Sequence, residues 1–173
     1  GVSVAGESID LGESGQVLAT ISHSLKSRSA VLLKNSQNLY ADSIFRVLGK
    51  ELGGEGSFVE AKASLMNWAL QNFSNSDPLV FQDGSGLSRQ NRLTSHFLLD
   101  VVDRVIVQDW GADFTEQLAV GGVDGTLRKR LGQSGLKGRV FAKTGTLTGV
   151  SSLAGLLFPQ DSSEPVTFAM ICN

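Results

Sequence analysis

The chain has 173 residues, of which 41% are hydrophobic and 18% are charged, a globular rather than a disordered composition. Its formal net charge is -2 and its longest basic run is Arg128-Lys129-Arg130, so it lacks the basic footprint of a nucleic-acid-binding protein. No apolar run approaches the roughly 20 residues that a membrane-spanning helix needs.

The two ends of the chain indicate a piece of a longer protein. The chain opens on GVSVAG without an initiator methionine, and it stops at TFAMICN inside a predicted strand. Residues 1–15 are rich in Gly, Ser and Glu, and we interpret them as a crossover from a preceding domain. Residues 16–173 would then be the C-terminal part of the domain that follows.

Apolar residues recur at helical spacing through the first two thirds of the chain, which predicts a series of helices. The predicted helices cover residues 29–34, 39–52, 58–73, 95–108, 114–118 and 125–131. Ser57, with Glu60 three residues later, has the pattern of a capping box, and Thr94 is the expected cap of the fourth helix. A loop built on SNSDP and DGSGLSRQN separates the third helix from the fourth.

In the last third of the chain the spacing of apolar residues changes from that of helices to that of strands. Residues 139–144, 150–158 and 166–172 are predicted to be strands, and the turn-rich stretch PQDSSEP joins the last two. Helices first and antiparallel strands last predict an α+β fold, in which helices pack on an antiparallel sheet.

Histidine and cysteine are too few to suggest a metal or redox site. Cys172 is the only cysteine, so no intramolecular disulfide can form. His23 and His96 have no partner at metal-ligand spacing, and we predict neither a metal nor a cofactor. With two histidines and no G-x-S-x-G motif, a Ser-His-Asp hydrolase is also disfavoured.

The stretch RVFAKTGTLTGV, residues 139–150, surrounds one lysine with small polar groups at the end of an apolar strand. Alternate residues of a strand share a face, so Lys143 and Gly145 should point one way. Thr144 and Thr146 should then point the other way. A lysine facing a cleft would supply a fixed charge, while the glycine would admit a substrate backbone and the threonines would donate to a carboxylate. The alternative is a solvated lysine before a glycine turn.

The tripeptide Ser36-Gln37-Asn38 lies between two predicted helices. A tight loop there can bring the Ser36 hydroxyl and the Asn38 amide together, one to pass a proton and the other to hold a substrate carbonyl. The alternative is that Ser36 or Asn38 only caps the helix that starts at Leu39.

S-x-N followed by K-T-G is the second and third element of the active-site set of penicillin-binding proteins and β-lactamases. The segments LLKNSQNLYADSIFRVLG, DGSGLSRQN and GRVFAKTGTLTGVSSLAG resemble one family of low-molecular-mass penicillin-binding proteins. It is the D-alanyl-D-alanine carboxypeptidase/endopeptidase family, peptidase family S13, of the DacB type. The resemblance spans nearly the whole chain, and DGSGLSR is its most discriminating part because β-lactamases share only the other two motifs.

The resemblance implies a role for each matching position. Ser36 would take part in proton transfer, Asn38 would hold the substrate amide, and Lys143 would position and polarise Ser36. Thr144 and Thr146 would bind the terminal carboxylate of the D-alanine.

The remaining implied roles concern the rest of the substrate. The N–H of Thr146 would supply half of the oxyanion hole, and Gly145 would lie against the substrate. Arg89 would line a pocket for the far end of the stem-peptide side chain, where a guanidinium fork suits a carboxylate. The alternative for Arg89 is a salt-bridged loop arginine. Thr148 replaces the longer polar side chain of some relatives, which affects the expected stem-peptide preference.

The resemblance also implies a whole function: an exported, periplasmic or cell-envelope serine DD-peptidase with an incomplete penicillin-recognising domain here. It would cleave the D-Ala-D-Ala amide of peptidoglycan stem peptides through an acyl-enzyme, without a cofactor, and would bind β-lactams. The alternatives are a β-lactamase-like serine hydrolase and a non-catalytic peptidoglycan- or penicillin-binding domain.

The nucleophile is the main departure from the family pattern. The only S-x-x-K runs from Ser134 to Lys137, after the other motifs rather than before them, and its glycine disfavours a helix. We therefore expect the nucleophilic serine upstream, in the remainder of the same protein. Ser85 lies between two glycines and is expected to shape a turn instead.

Overall fold

The computed structural model describes residues 19–74, 78–162 and 164–173, so the predicted crossover at residues 1–15 lies outside the described residues. The described helices are α1 Leu25–Asn35, α2 Asn38–Gly53, α3 Phe58–Asn72, α4 Ser95–Ile106 and α5 Gly111–Gln117. The described strands are β1 Ala119–Val120, β2 Val140–Leu147, β3 Val150–Leu157 and β4 Val166–Cys172. A short 3-10 turn, Gly125–Leu127, lies between β1 and β2. None of these helices is long and apolar enough to cross a bilayer.

The strands form one antiparallel sheet in the order β1-β2-β3-β4, which confirms the predicted antiparallel sheet. The sequence pattern missed β1, because a two-residue strand is too short to show a period. β2 continues past the predicted end at residue 144, since its pairing with β3 is unbroken up to Leu147 and Val150. Gly149, with φ 80°, closes this tight hairpin in the left-handed region that glycine favours.

Local capping explains several helix ends. The Ser57 hydroxyl accepts from the Glu60 N–H at 3.2 Å and the Thr94 hydroxyl accepts from the Phe97 N–H at 3.1 Å, as predicted. α1 begins four residues earlier than predicted, because Ser24 caps it by accepting from the Ser27 N–H.

The predicted helix over 125–131 is wrong. Only the three-residue 3-10 turn forms there, and Gly125 and Leu131 have φ values of 53° and 55°, which an α-helix cannot contain.

Helices pack on both the sheet and one another, as the α+β prediction requires. α4 packs against β4 and β3, while α2 packs against α3. Gly49 permits the close approach of α2 to α3, because a Cβ at this position would lie 2.7 Å from the Ala61 nitrogen. A buried apolar cluster joins β1, the 3-10 turn, β2 and β3; it consists of Ala119, Leu127, Val140, Ala142 and Leu153. This core lies beneath β2 and holds the strand that carries K-T-G.

Candidate active site

Ser36 ends α1 in a backbone conformation that is uncommon for a serine. Its φ and ψ are 57° and 53°, in the left-handed region, and its N–H donates to the Leu32 carbonyl at 2.8 Å. Gln37 is the N-cap of α2 and makes no side-chain capping bond, and Asn38 is the first residue of that helix. The alternative that Ser36 or Asn38 caps α2 through its side chain is therefore not observed.

Lys143 on β2 meets Ser36 directly. Its Nζ donates to the Ser36 Oγ at 2.8 Å and to the Thr144 carbonyl at 2.6 Å, although Ser36 lies 107 positions earlier in the chain. Among the described residues no carboxylate lies within ion-pair distance of this ammonium. Burial lowers the pKa of Lys143 from the usual 10.5, because the charged form loses solvation.

This pairing has a clear chemical capacity. The ammonium donates to the Ser36 oxygen, so the hydrogen of the Ser36 hydroxyl remains available for another acceptor. A lysine with a lowered pKa also releases a proton more readily than an exposed one. Ser36 and Lys143 can together hold developing negative charge and move a proton.

Burial alternates over the first part of K-T-G-T, because Thr144 is buried between the half-buried Lys143 and Gly145. All three residues line a cleft of about 820 Å³. Thr144 is only 7% exposed, and its hydroxyl donates to the Thr126 Oγ1 at 2.9 Å. Thr146 is exposed near the end of the strand.

Arg89 lies at the edge of the same cleft and reaches the β2–β3 hairpin. Its guanidinium donates to the Thr148 carbonyl at 3.0 Å, and no ion pair is found for it among the described residues. The predicted alternative of a salt-bridged loop arginine is therefore not observed. One N–H group of the Arg89 guanidinium thus binds the hairpin. No carboxylate of the described residues lies within ion-pair distance of the other N–H groups.

The DGSGLSR loop is held by two carboxylates. Asp83 accepts from the N–H groups of Gly86 and Ser88, at 2.8 and 2.6 Å. Asp42, on α2, accepts from the N–H groups of Gly84 and Ser85, at 3.0 and 2.9 Å. Ser85 thus takes part in a bend of the loop, as expected.

Several positions missed by the sequence analysis support the site. Asp42 ties the helix after S-x-N to the Arg89 loop, and Thr126 pairs with Thr144. Lys34 donates to the Asp124 carboxylate and to the Leu118 carbonyl. No local pattern reveals these residues, because every one of these contacts joins segments that are distant in sequence.

The other candidate residues lie apart from this arrangement of hydrogen bonds. Ser134 is exposed in a turn, and Gly135 after it has φ 89°, so the described S-x-x-K does not start a helix. The exposed side chain of His96 lies 3.5 Å from the Asp100 carboxylate on α4, and His23 is also exposed. In the described ranges no group of three or more His, Cys, Asp or Glu could hold a metal ion.

Comparison with known proteins places this chain in a family. The model of the D-Ala-D-Ala carboxypeptidase 3 (S13) family matches residues 2–173. Penicillin-sensitive carboxypeptidase A of Dictyostelium discoideum is 34% identical over 148 residues, covering 82% of this chain and 28% of that protein. D-alanyl-D-alanine carboxypeptidase of Actinomadura sp. strain R39 is 33% identical over 188 residues, covering 100% of this chain and 34% of that protein.

Solved structures agree with this assignment. Penicillin binding protein 4 (dacB) from Haemophilus influenzae, complexed with a β-lactam, superposes with a TM-score of 0.82 at 31% identity. The match covers 93% of this chain and 37% of that one, so the chain spans about a third of the length of these relatives. The fold is thus the α+β fold of penicillin-binding proteins. Because the family model matches nearly every residue, the chain belongs to the D-Ala-D-Ala carboxypeptidase 3 (S13) family.

Proposed function

We propose that this chain carries the S-x-N and K-T-G elements of a serine-type D-Ala-D-Ala carboxypeptidase. The observation that carries the proposal is the 2.8 Å hydrogen bond from Lys143 to Ser36, which brings the two motifs into direct contact. The whole enzyme cleaves the terminal amide of a peptidoglycan stem peptide and releases D-alanine. The carboxypeptidase names of the relatives and the β-lactam bound to the Haemophilus influenzae protein support this substrate class.

The nucleophile belongs to a segment of the same protein outside this chain. Its serine oxygen bonds to the amide carbonyl carbon, the C–N bond breaks, and water later hydrolyses the acyl-enzyme. The proton of the serine passes to the leaving amine through Ser36, whose own hydrogen is free while Lys143 donates to its oxygen. The Asn38 amide, two residues further on at the start of α2, holds the substrate amide.

The threonines bind the carboxylate of the terminal D-alanine. Thr146 is exposed and can donate directly, and its N–H supplies half of the oxyanion hole. Thr144 donates to Thr126 in the structure. Because both partners are hydroxyls, Thr126 can become the donor and so release the Thr144 hydrogen for the carboxylate. Gly145, on the Lys143 face, lies against the substrate backbone, and a Cβ at this position would collide with the Ser152 hydroxyl.

Arg89 binds the far end of the stem-peptide side chain. Its bond to Thr148 uses one of the five donors of the guanidinium, which leaves others for a carboxylate. The protein is exported to the cell envelope, where this substrate occurs. It acts as a carboxypeptidase, with cleavage of cross-links as a further activity on the same amide type.

Substitution of Lys143 in the full-length protein tests the proposal. Lys143→Ala removes the charge, whereas Lys143→Arg replaces a compact charge with a wide planar fork beside Ser36. We expect both to slow acylation by roughly 10²-fold or more, the scale of losing one preorganised donor. Stopped-flow kinetics with a reporter penicillin measures the rate, and release of D-alanine from a D-Ala-D-Ala peptide checks the substrate. Near-normal acylation of Lys143→Ala would remove Lys143 from the catalytic site.

A further inference from the structure

A second series of contacts joins the end of α1 to strand β2, besides the direct bond between Ser36 and Lys143. It begins at Lys34, two residues before Ser36. The Lys34 ammonium donates to the Leu118 carbonyl at 3.0 Å and to the Asp124 carboxylate, and both side chains of this ion pair are about two thirds buried (28% and 37% exposed). The last turn of α1 is thereby attached to the segment that follows α5.

Asp124 in turn binds the backbone of β1. While one of its oxygens accepts from Lys34, the other accepts from the Val120 N–H at 2.8 Å. Gly125 then approaches α1 itself, since a Cβ at this position would lie 2.5 Å from the Lys34 carbonyl oxygen. Its φ of 53° also favours glycine, so the turn is shaped to fit closely against the end of α1.

Thr126 completes the connection to β2. Its hydroxyl pairs with that of Thr144 at 2.9 Å, and Thr144 directly follows Lys143. Leu127, with no exposed surface, fixes the same turn in the core beneath β2. The segment from Asp124 to Thr126 thus contacts both parts of the chain that carry the proposed proton-transfer pair, the end of α1 and strand β2.

We propose that Lys34, Asp124 and Thr126 are positioning residues that set the distance between Ser36 and Lys143. This inference rests on the proposed function, because it assigns their importance to the rate of proton transfer. Ser36 is exposed and Lys143 has a flexible stem, so their hydrogen bond alone does not hold the two backbones at one separation. A displacement of about 1 Å can cost a catalytic site about 10²-fold in rate.

The test compares two variants of the full-length protein in stopped-flow acylation by a reporter penicillin. Thr126→Val keeps the side-chain shape but removes the hydroxyl, and Lys34→Met keeps the stem but removes the charge. We expect each to lower the limiting acylation rate by roughly 10-fold or more. The penicillin concentration that gives half the limiting rate should change by less than about 2-fold, because the carboxylate-binding residues remain. Thr126→Ser should restore the rate.

Two matched variants control for the loss of a hydroxyl and of a lysine. Thr115→Val removes a hydroxyl that bonds within α5, to the Gly111 carbonyl. Lys26 lies on α1 like Lys34, but at the end of the helix remote from Ser36. Lys26→Met removes its ion pair with Asp113 of α5. Both controls should acylate at the wild-type rate.

The double variant Thr126→Val/Lys34→Met separates a connected bridge from two independent contacts. Links in series lose most of their effect when either one is broken, so the double variant should be only slightly slower than the slower single one. A rate reduced by the product of the two single fold-changes would mean that the two contacts act independently, and it would overturn the proposal. So would wild-type acylation by either single variant, or failure of Thr126→Ser to restore the rate. If Thr126→Val does not fold, the acylation rate of Lys34→Met, a substitution at a partly exposed position, tests the proposal instead.

The Lys143→Ala variant, measured beside them, distinguishes this inference from the proposed function. Wild-type acylation by Lys143→Ala would overturn the proposed function itself. Slow acylation by Lys143→Ala, together with wild-type acylation rates for Thr126→Val and Lys34→Met, would overturn only the positioning role of Lys34, Asp124 and Thr126.

Discussion

Burial of Lys143 has a consequence for stability as well as for chemistry. The pKa of Lys143 is lowered in the folded protein, so between that pKa and 10.5 the unfolded chain still holds a proton that the folded chain has lost. The stability contributed by Lys143 is therefore fully present above pH 10.5, and it is lost as the pH falls from 10.5 through the lowered folded-state pKa.

We expect the unfolding free energy of the wild type, minus that of Lys143→Met, to rise as pH is raised through the window below 10.5. Urea unfolding at stepped alkaline pH measures this difference. Lys26 is the control, because its hydrogen bond to Asp113 raises its pKa, and the corresponding difference for Lys26→Met should not rise in this window. A difference for Lys143→Met that stays flat or falls would contradict the desolvation of Lys143.

The left-handed backbone of Ser36 allows strain and chemistry to be separated. Ser36→Gly and Ser36→Ala both remove the hydroxyl, but only glycine accepts φ 57° without steric cost. We expect Ser36→Gly to be about 1 kcal/mol more stable than Ser36→Ala. Both should acylate slowly in the full-length protein. Urea unfolding gives the stabilities, and equal values would show that the loop relaxes away from this conformation.

At the scale of elements, the position of Arg89 depends on how closely the DGSGLSR loop approaches α2. A Cβ on Gly84 would lie 2.6 Å from both the Ala41 carbonyl oxygen and the Phe45 Cβ, so Gly84→Ala must push the loop off the helix. We expect a loss of about 1–3 kcal/mol in unfolding free energy. Gly56→Ala is the control, because its nearest neighbour would be 3.7 Å away.

Thermal or urea unfolding of both glycine variants measures this effect. The displaced loop should also weaken the binding of stem peptides through Arg89 more than it changes acylation by a penicillin without that side chain. If Gly84→Ala were as stable as Gly56→Ala, the close packing of this loop on α2 would be disproved.

At the scale of the whole molecule, the only S-x-x-K of this sequence, residues 134–137, follows the other two motifs, and we propose that the nucleophile lies outside the chain. We predict that the 173-residue chain alone neither hydrolyses D-Ala-D-Ala peptides nor forms a covalent penicillin adduct. Intact-mass spectrometry after incubation with a labelled penicillin tests this, with the full-length protein as the positive control. A stable adduct on Ser134 or Ser85 would identify a nucleophile within the chain.

Much of the fold could be predicted because its signals are local. Ser57 and Thr94 cap helices through atoms three residues away, and the two-residue period of β2 separates Lys143 from Thr144. The helix predicted over 125–131 failed for a tertiary reason. Gly125 is bent to fit against the end of α1, a contact that the local pattern does not contain.

The sequence by itself determined which chemical groups are present and in what motifs: the hydroxyl of Ser36, the amide of Asn38 and the ammonium of Lys143. Only the tertiary structure decided that Ser36 and Lys143 lie 2.8 Å apart, and that Thr126 lies under Thr144. The physical reason is that residue types and local periods are carried by neighbours along the chain. A contact across 107 positions depends instead on how α1, the 3-10 turn and the sheet pack against one another.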